Sequence, residues 1–218
     1  NVSYLTTFNS RTMVPALAMI KSLAKHTDSK IYAIGVLSQE EKLRLPSNVV
    51  PVNVANHVGI WRRIPDIPGR SDHTNRGWDK YDMATLSADL FCDTEYIVRV
   101  SNDVIFSESW NESELFEDGK PIIPYFMTSN PSEIEIGPLY LLRMVKGMSE
   151  VIKTNPRVPV RKPSKVFSVW NSNSLKELWR ITPSSRLSIR SMIHNTYYNL
   201  DSFEVYGHAA YYSLFDVI

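Results

Sequence analysis

The most informative segment of the chain is Tyr96-Ile97-Val98-Arg99-Val100-Ser101-Asn102-Asp103. Its first five residues are mostly β-branched or aromatic, which predicts a strand, and three polar residues follow at once. In open α/β sheets, ligands bind beyond the carboxyl ends of the strands. We therefore expect a central strand with a polar tip, where Asp103 either binds a divalent cation or serves only as a turn residue.

The first quarter of the chain alternates between strand and helix patterns. Asn9 and Ser10 are predicted to cap a helix whose apolar residues recur at three- and four-residue steps. A second, short helix is predicted to begin at Ser38. The predicted strands are residues 2–8, 30–36 and 48–54. This alternation predicts a parallel sheet with crossover helices.

The rest of the chain carries further elements and a long loop at residues 55–76. Residues 157–165 are predicted to form a basic, proline-broken loop. The predicted helices are residues 78–91, 145–153 and 175–180, and the predicted strands are residues 121–127 and 137–142. We expect a single α/β domain over residues 1–218, excised from a longer chain. Its mostly parallel central sheet is expected to have about six strands flanked by helices.

Composition excludes several classes of protein. Lys and Arg number 24 and Asp and Glu number 23, which argues against a nucleic-acid-binding surface. The single cysteine, Cys92, excludes an internal disulfide and a cysteine zinc cluster. We find no signal peptide and no apolar run near the roughly 20 residues of a transmembrane helix, so we expect a cytoplasmic protein. The P-loop, Gly-x-Gly-x-x-Gly and Gly-x-Ser-x-Gly motifs are also absent from the sequence.

The segment around Asp103 resembles the Asp-x-Asp strand of GT-A glycosyltransferases, in which a polar triplet stands between two apolar runs. Lys80 on the preceding predicted helix is similar to the basic residue of the retaining, glycogenin-like members. The order of elements is consistent with that fold up to about residue 145. More narrowly, the chain resembles virus-encoded domains that glycosylate capsid proteins, which implies the host cytoplasm. Ser101 stands where the family has its first Asp, and a hydroxyl adds a hydrogen bond but no charge.

This resemblance implies a UDP-sugar donor, a Mn2+ or Mg2+ ion, and a glycan or glycoprotein acceptor. The expected metal ligands are Asp103 and His208, whose imidazole suits Mn2+ better than Mg2+. Lys80 is expected to stabilise the diphosphate as it leaves. The residues expected to contact the nucleotide sugar are Thr6, Thr7, Phe8, Asn9, Arg11, Trp61, Arg76, Lys80, Ser101 and Asn102.

For several of these residues, a purely structural interpretation stands beside the functional one. The alternative for His208 is a histidine that packs or caps near the end of the chain. Glu133 and Glu135 point to one side of extended backbone, either as acceptor contacts or as an exposed strand edge. The resemblance implies retention of configuration, which needs no dedicated base. Inversion would require Glu133, Glu135 or Asp201 as the base.

The expected activity is transfer of a hexose or deoxyhexose from the UDP-sugar to a sugar hydroxyl of a glycan. One alternative is a GT-A-fold module that binds carbohydrate or nucleotide with weak or no turnover. Another is a sugar nucleotidyltransferase, although that class usually has a glycine-rich loop after its first strand. Residues 7–11 contain no glycine.

Overall fold

A computed structural model describes residues 1–9, 11–35, 37–52, 84–107, 110–122, 125–127, 161–163 and 167–181. Its strands are β1 (Val2–Thr7), β2 (Ile31–Ile34), β3 (Val49–Val52), β4 (Tyr96–Val100), β5 (Phe116–Glu117), β6 (Lys120–Pro121), β7 (Tyr125–Met127), β8 (Arg161–Pro163) and β9 (Phe167–Asn171). Its α-helices are α1 (Met13–Leu23), α2 (Gln39–Leu43) and α3 (Ser172–Ile181). Short 3-10 helices cover Ala88–Leu90 and Glu112–Leu115.

Five strands form the central sheet in the order β3-β2-β1-β4-β9. The four strands β3, β2, β1 and β4 are parallel to one another, and β9 runs antiparallel to β4. The predicted α/β architecture with a mostly parallel sheet is therefore confirmed, with five sheet strands in the described part of the chain. The β5–β6 hairpin and the antiparallel pair β7–β8 stand apart as two-stranded sheets.

The two faces of the sheet differ in chemistry. Side chains alternate between faces along a strand, so Tyr4 and its register partner Val98 share one face. That face is apolar and packs against Met19 and other buried residues of α1. On the opposite face, Arg99 is paired in register with Leu5 and with Ser168, and all three are buried.

The opposite face is covered by residues 84–91 and α3. The ring of Phe91 contacts the ring of Tyr32 on β2, with a centroid separation of 6.3 Å. α3 packs on the Ala88–Leu90 turn. Helical segments therefore cover both faces of the sheet, as in doubly wound α/β proteins. No helix among the described residues is long and apolar enough to cross a bilayer.

Two helix predictions are confirmed. Ser38 caps α2 through a capping box, in which its hydroxyl accepts from Glu41 N and the Glu41 carboxylate accepts from Ser38 N. The predicted helix at residues 175–180 is confirmed as part of the longer α3.

The predicted cap of α1 is wrong. The helix begins at Met13 with Thr12 in the cap position, because Asn9 Oδ1 accepts from the backbone of Arg11 and Thr12 instead. A side chain that bonds locally in this way favours a turn over a helix.

Other boundaries also differ from the sequence prediction. Within the predicted helix at residues 78–91, residues 84–86 are helical, a 3-10 turn follows, and Leu90 is exposed.

The predicted strand at residues 121–127 is divided, because Pro121 pairs back onto Phe116 across the Asp118-Gly119 turn. Both turn residues have positive φ, as a two-residue hairpin requires. The predicted loop at residues 157–165 contains β8. The predicted elements at residues 137–142 and 145–153 and the loop at 55–76 lie outside the described residues.

Of the two glycines among the described residues, Gly35 and Gly119, only Gly35 has neighbouring atoms where a Cβ would be added. A Cβ there would lie 2.6 Å from Cδ2 of Phe8, whose ring is buried at the end of β1. We predict that Gly35→Ala lowers the free energy of unfolding by about 1–3 kcal/mol through overpacking, measured by urea denaturation. The loss should be smaller in a Phe8→Leu background, because leucine lacks the outer ring atoms. An equal loss in both backgrounds would contradict this explanation.

Candidate functional site

The carboxyl ends of β1 and β4 lie side by side at the point where the chain reverses its direction across the sheet. From β1 the chain passes outward to β2 and β3, and it then returns to β4 on the other side of β1. Such a switch point leaves a crevice outside the strand ends, because the connections on its two sides leave in opposite directions. The β1–α1 loop and the Ser101–Asp103 turn meet at this edge. It is therefore the place in this fold where a ligand is expected.

In the Ser101–Asp103 turn, one side chain faces the protein and one faces solvent. Asn102 is only 6% exposed, and its Nδ2 donates to the carbonyl oxygen of Thr7 at 2.6 Å. Asp103 is exposed, and Ser101 Oγ donates to its Oδ1 at 2.5 Å. The hydroxyl thus orients the carboxylate, and the carboxylate stays accessible to a ligand.

The β1–α1 loop is closed by its own side chains. Asn9 Oδ1 accepts from the backbone nitrogens of Arg11 at 2.9 Å and Thr12 at 3.1 Å. Asn9 N in turn donates to Thr12 Oγ1 at 3.0 Å. Arg11 is exposed on this loop. The loop therefore presents a cationic side chain from a hydrogen-bonded backbone at the same edge as Asp103.

Thr6, Thr7 and Phe8 are placed differently from Asn9 and Arg11. Each of these three residues is 1% exposed, so their side chains lie inside the protein. Thr7 Oγ1 accepts from Nη2 of Arg99 at 3.1 Å, and the ring of Phe8 lies against Gly35. Any contact that these residues make with a base or ribose would come from their backbone. Their role in nucleotide binding stays a prediction.

Arg99 is a structural residue of the site that sequence reasoning did not single out. It is 5% exposed and bridges the two central strands through Nη2 to Thr7, while Nη1 bonds the carbonyl oxygen of Val100. A buried guanidinium is costly unless its N–H groups meet acceptors. The sequence feature that could have identified Arg99 is that it is the one charged residue in the apolar segment Tyr96–Val100.

The described residues supply one of the two predicted metal ligands. Asp103 is in place, whereas His208 lies outside the described residues. Within the described ranges no three His, Cys, Asp or Glu side chains lie close enough to share a metal ion. The other predicted site residues outside those ranges are Trp61, Arg76, Lys80, Glu133, Glu135 and Asp201. Their roles stay predictions.

A second polar cluster lies at the opposite, amino end of the sheet, beside an open cavity of about 460 Å³. There Glu112 Oε2 accepts from the hydroxyls of Tyr4 at 2.8 Å and Thr27 at 2.9 Å. Burial, together with the adjacent Glu112 carboxylate, holds the pKa of Tyr4 well above its usual range. These bonds tie β1 and the segment after α1 to residues 110–112, which is a structural role.

The chain matches no protein-family model and no curated protein. Among solved structures, it is similar to the apo form of the glycosyltransferase GlyE of Streptococcus pneumoniae TIGR4, with 10% identity, a TM-score of 0.49 and 96% of this chain covered. It spans 42% of the GlyE chain, less than half its length. It is also similar to apo mouse xyloside xylosyltransferase 1, with 10% identity, a TM-score of 0.44, and coverage of 97% of this chain and 81% of that one.

A third similar structure is the galactosyltransferase LgtC in complex with donor and acceptor sugar analogues. The identity is 10% and the TM-score is 0.43, over 87% of this chain and 69% of LgtC. At such identities and with TM-scores below 0.5, the likeness assigns neither a family nor an activity to this chain.

The bond between Thr7 and Arg99 provides a test of the internal role of Thr7. We predict that Thr7→Val lowers the free energy of unfolding by about 1–3 kcal/mol, because a buried N–H group of Arg99 loses its acceptor. Thr7→Ser retains the hydroxyl and should cost less than half as much. Urea denaturation of both variants measures the difference, and a larger loss in Thr7→Ser than in Thr7→Val would show that the methyl group, not the hydroxyl, is what matters.

Proposed function

We propose that this chain is a metal-dependent GT-A glycosyltransferase that moves a hexose or deoxyhexose from a UDP-sugar to a sugar hydroxyl of a glycan. One observation carries the proposal: the exposed carboxylate of Asp103 lies at the carboxyl end of β4, beside the end of β1. The turn that holds it also resembles the Asp-x-Asp segment of GT-A enzymes. The position of the site and the chemistry of its residues thus point to the same ligand class.

The donor atoms of the turn suit a hard divalent cation. Asp103 would hold Mn2+ or Mg2+ through its carboxylate, since both ions accept oxygen ligands. Ser101 orients that carboxylate through its hydroxyl and contributes no charge. A bound cation supplies the positive charge that neutralises a diphosphate leaving group. We propose that His208 completes the ligand set.

Positive charge from the protein adds to this edge of the sheet. Arg11 is exposed on the β1–α1 loop and is available for charge-assisted hydrogen bonds to phosphate oxygens. The first turn of α1 contains no acidic residue, so the partial positive charge of the helix terminus is not cancelled there. We propose that Lys80 and Arg76 approach the same diphosphate. Trp61 is then available to stack on the uracil or the sugar.

The transfer exchanges one bond at the anomeric carbon for another. The bond from that carbon to the diphosphate oxygen breaks, and a bond to the acceptor oxygen forms. With retention, the departing phosphate oxygen takes the acceptor proton, so that UDP and the extended glycan are the products. With inversion, one of Glu133, Glu135 and Asp201 takes that proton instead.

Asp103 is the residue whose loss should matter most. We predict that Asp103→Asn weakens UDP binding in the presence of Mn2+ by at least about tenfold, since loss of a metal ligand removes most of the affinity for the ion. Sugar transfer should be lost as well, while the thermal midpoint stays nearly unchanged because the side chain is exposed. Calorimetric titration of UDP with and without Mn2+ measures the first effect.

Asp28 provides the matched control, because it is an exposed aspartate beside the cavity at the amino end of the sheet. Asp28→Asn should leave both UDP binding and transfer unchanged. Transfer that survives Asp103→Asn would refute the metal assignment. UDP binding by the unaltered protein without transfer to any glycan acceptor would identify a binding module instead.

Ser101 offers a test in the opposite direction. We predict that Ser101→Asp tightens Mn2+ binding several-fold, because it places a second carboxylate beside Asp103. Ser47→Asp adds the same charge at an exposed position before β3 and should leave the Mn2+ affinity unchanged. Calorimetric titration with Mn2+ alone measures the Mn2+ affinity of both variants. Equal affinities would show that position 101 does not face the ion.

A further inference from the structure

Asn102 connects the two loops that meet at the candidate site. Its Nδ2 donates to the carbonyl oxygen of Thr7 at 2.6 Å, at the last residue of β1. The same nitrogen lies 3.4 Å from Thr12 Oγ1, at the residue that precedes α1. Both hydrogen-bond acceptors are therefore protein atoms of the connection between β1 and α1. The amide nitrogen of Asn102 is therefore directed at the β1–α1 connection and not outward to a ligand.

The connection continues from Thr12 to the exposed residue of the loop. Thr12 Oγ1 also accepts from Asn9 N, and Asn9 Oδ1 accepts from Arg11 N. A continuous set of hydrogen bonds thus leads from Asn102, the neighbour of Asp103, to the backbone of Arg11. Arg99 adds a bond between β4 and the hydroxyl of Thr7. Hydrogen bonds of the Asn102 and Arg99 side chains therefore join the turn that bears Asp103 to the loop that bears Arg11, in addition to the backbone pairing of β1 with β4.

We propose that Asn102 is a positioning residue that sets the distance between Asp103 and the β1–α1 loop. This inference rests on the proposed function, in which Asp103 holds the metal ion at one end of the site and the β1–α1 loop, which bears Arg11, binds the nucleotide at the other. With Asn102 in place the two ends are held as one unit. Metal and nucleotide then strengthen each other's binding because neither must order its half of the site.

The chemistry of the contact explains why an amide stands between Ser101 and Asp103. The acceptor is a backbone carbonyl oxygen, so the side chain at position 102 must donate a proton. An ionised carboxylate there would be buried against an oxygen with no proton between them, which is unfavourable. Asparagine therefore meets a requirement that aspartate does not.

The first experiment measures this connection without any ligand. Amide hydrogen exchange is followed in the unaltered protein, in Asn102→Ala and in Asn48→Ala. Asn48 is the matched control, because its Nδ2 also donates to backbone carbonyls, those of Thr27 and Ser29, but away from the candidate site. We expect Asn102→Ala to speed exchange roughly fivefold both in residues 101–104 and in residues 8–12. Asn48→Ala should speed exchange only around residues 27–31.

Unchanged exchange at residues 8–12 in Asn102→Ala would overturn the proposal, because the turn would then not hold the loop. If Asn102→Ala does not fold, Thr12→Val removes the second acceptor, and Thr12→Ser retains it. Faster exchange at residues 101–104 in Thr12→Val but not in Thr12→Ser supports the connection. Identical exchange in these two variants overturns it.

The second experiment uses the factor by which Mn2+ strengthens UDP binding, measured by calorimetry. We expect Asn102→Ala to reduce that factor about fivefold, while UDP binding without Mn2+ changes little. In Asn48→Ala, Mn2+ should strengthen UDP binding by the same factor as in the unaltered protein. A general loss of stability does not break the connection between the Ser101–Asp103 turn and the β1–α1 loop. If Mn2+ strengthens UDP binding by the same factor in Asn102→Ala as in the unaltered protein, the positioning role is overturned. Failure of the unaltered protein to bind UDP would refute the proposed function instead. The hydrogen-exchange experiment would still test whether Asn102 holds the β1–α1 loop, because it uses no ligand.

Discussion

β1 pairs in parallel with β4 on one side and with β2 on the other, and the position of every other described feature of the site depends on this pairing. Parallel neighbours end at the same edge of the sheet, so the residues that follow β1 and β4 must meet there. The chain must also cross the sheet to reach β4, which separates the connections on the two sides of β1. The position of the candidate site is therefore a property of the topology and not of any single residue.

The two faces of the sheet stabilise this pairing in different ways. The face under α1 is apolar and contributes through burial of side chains such as Tyr4 and Val98. The other face buries Arg99, whose bonds to Thr7 and Val100 join β4 to β1 near their carboxyl ends. Polar bonds of this kind depend on geometry more strongly than apolar contacts do. The strand ends are therefore held in register where the proposed chemistry occurs.

Within the Ser101–Asp103 turn, three adjacent polar residues have three different surroundings. Asn102 is buried and bonded to β1, Asp103 is exposed, and Ser101 orients the Asp103 carboxylate. The local sequence predicted the position of this turn correctly, because a strand pattern that ends in polar residues is a strong signal. It treated Ser101, Asn102 and the buried Thr6, Thr7 and Phe8 alike as ligand contacts. Burial separates them, and burial depends on which strand lies beside β1.

Periodicity and composition patterns in the sequence alone were enough to predict the α/β class, the parallel β1–β2–β3 unit, a short helix at Ser38, and a polar tip on β4. These are local properties, because side-chain spacing and backbone preference act within a few residues. The pairing of β4 with β1, the antiparallel β9 beside it, and the burial of Arg99 and Asn102 were decided only by the tertiary structure. The contacts between the ends of β1 and β4 join residues that are about ninety positions apart, such as Thr7 with Arg99 and Asn102, and no local pattern encodes such a contact.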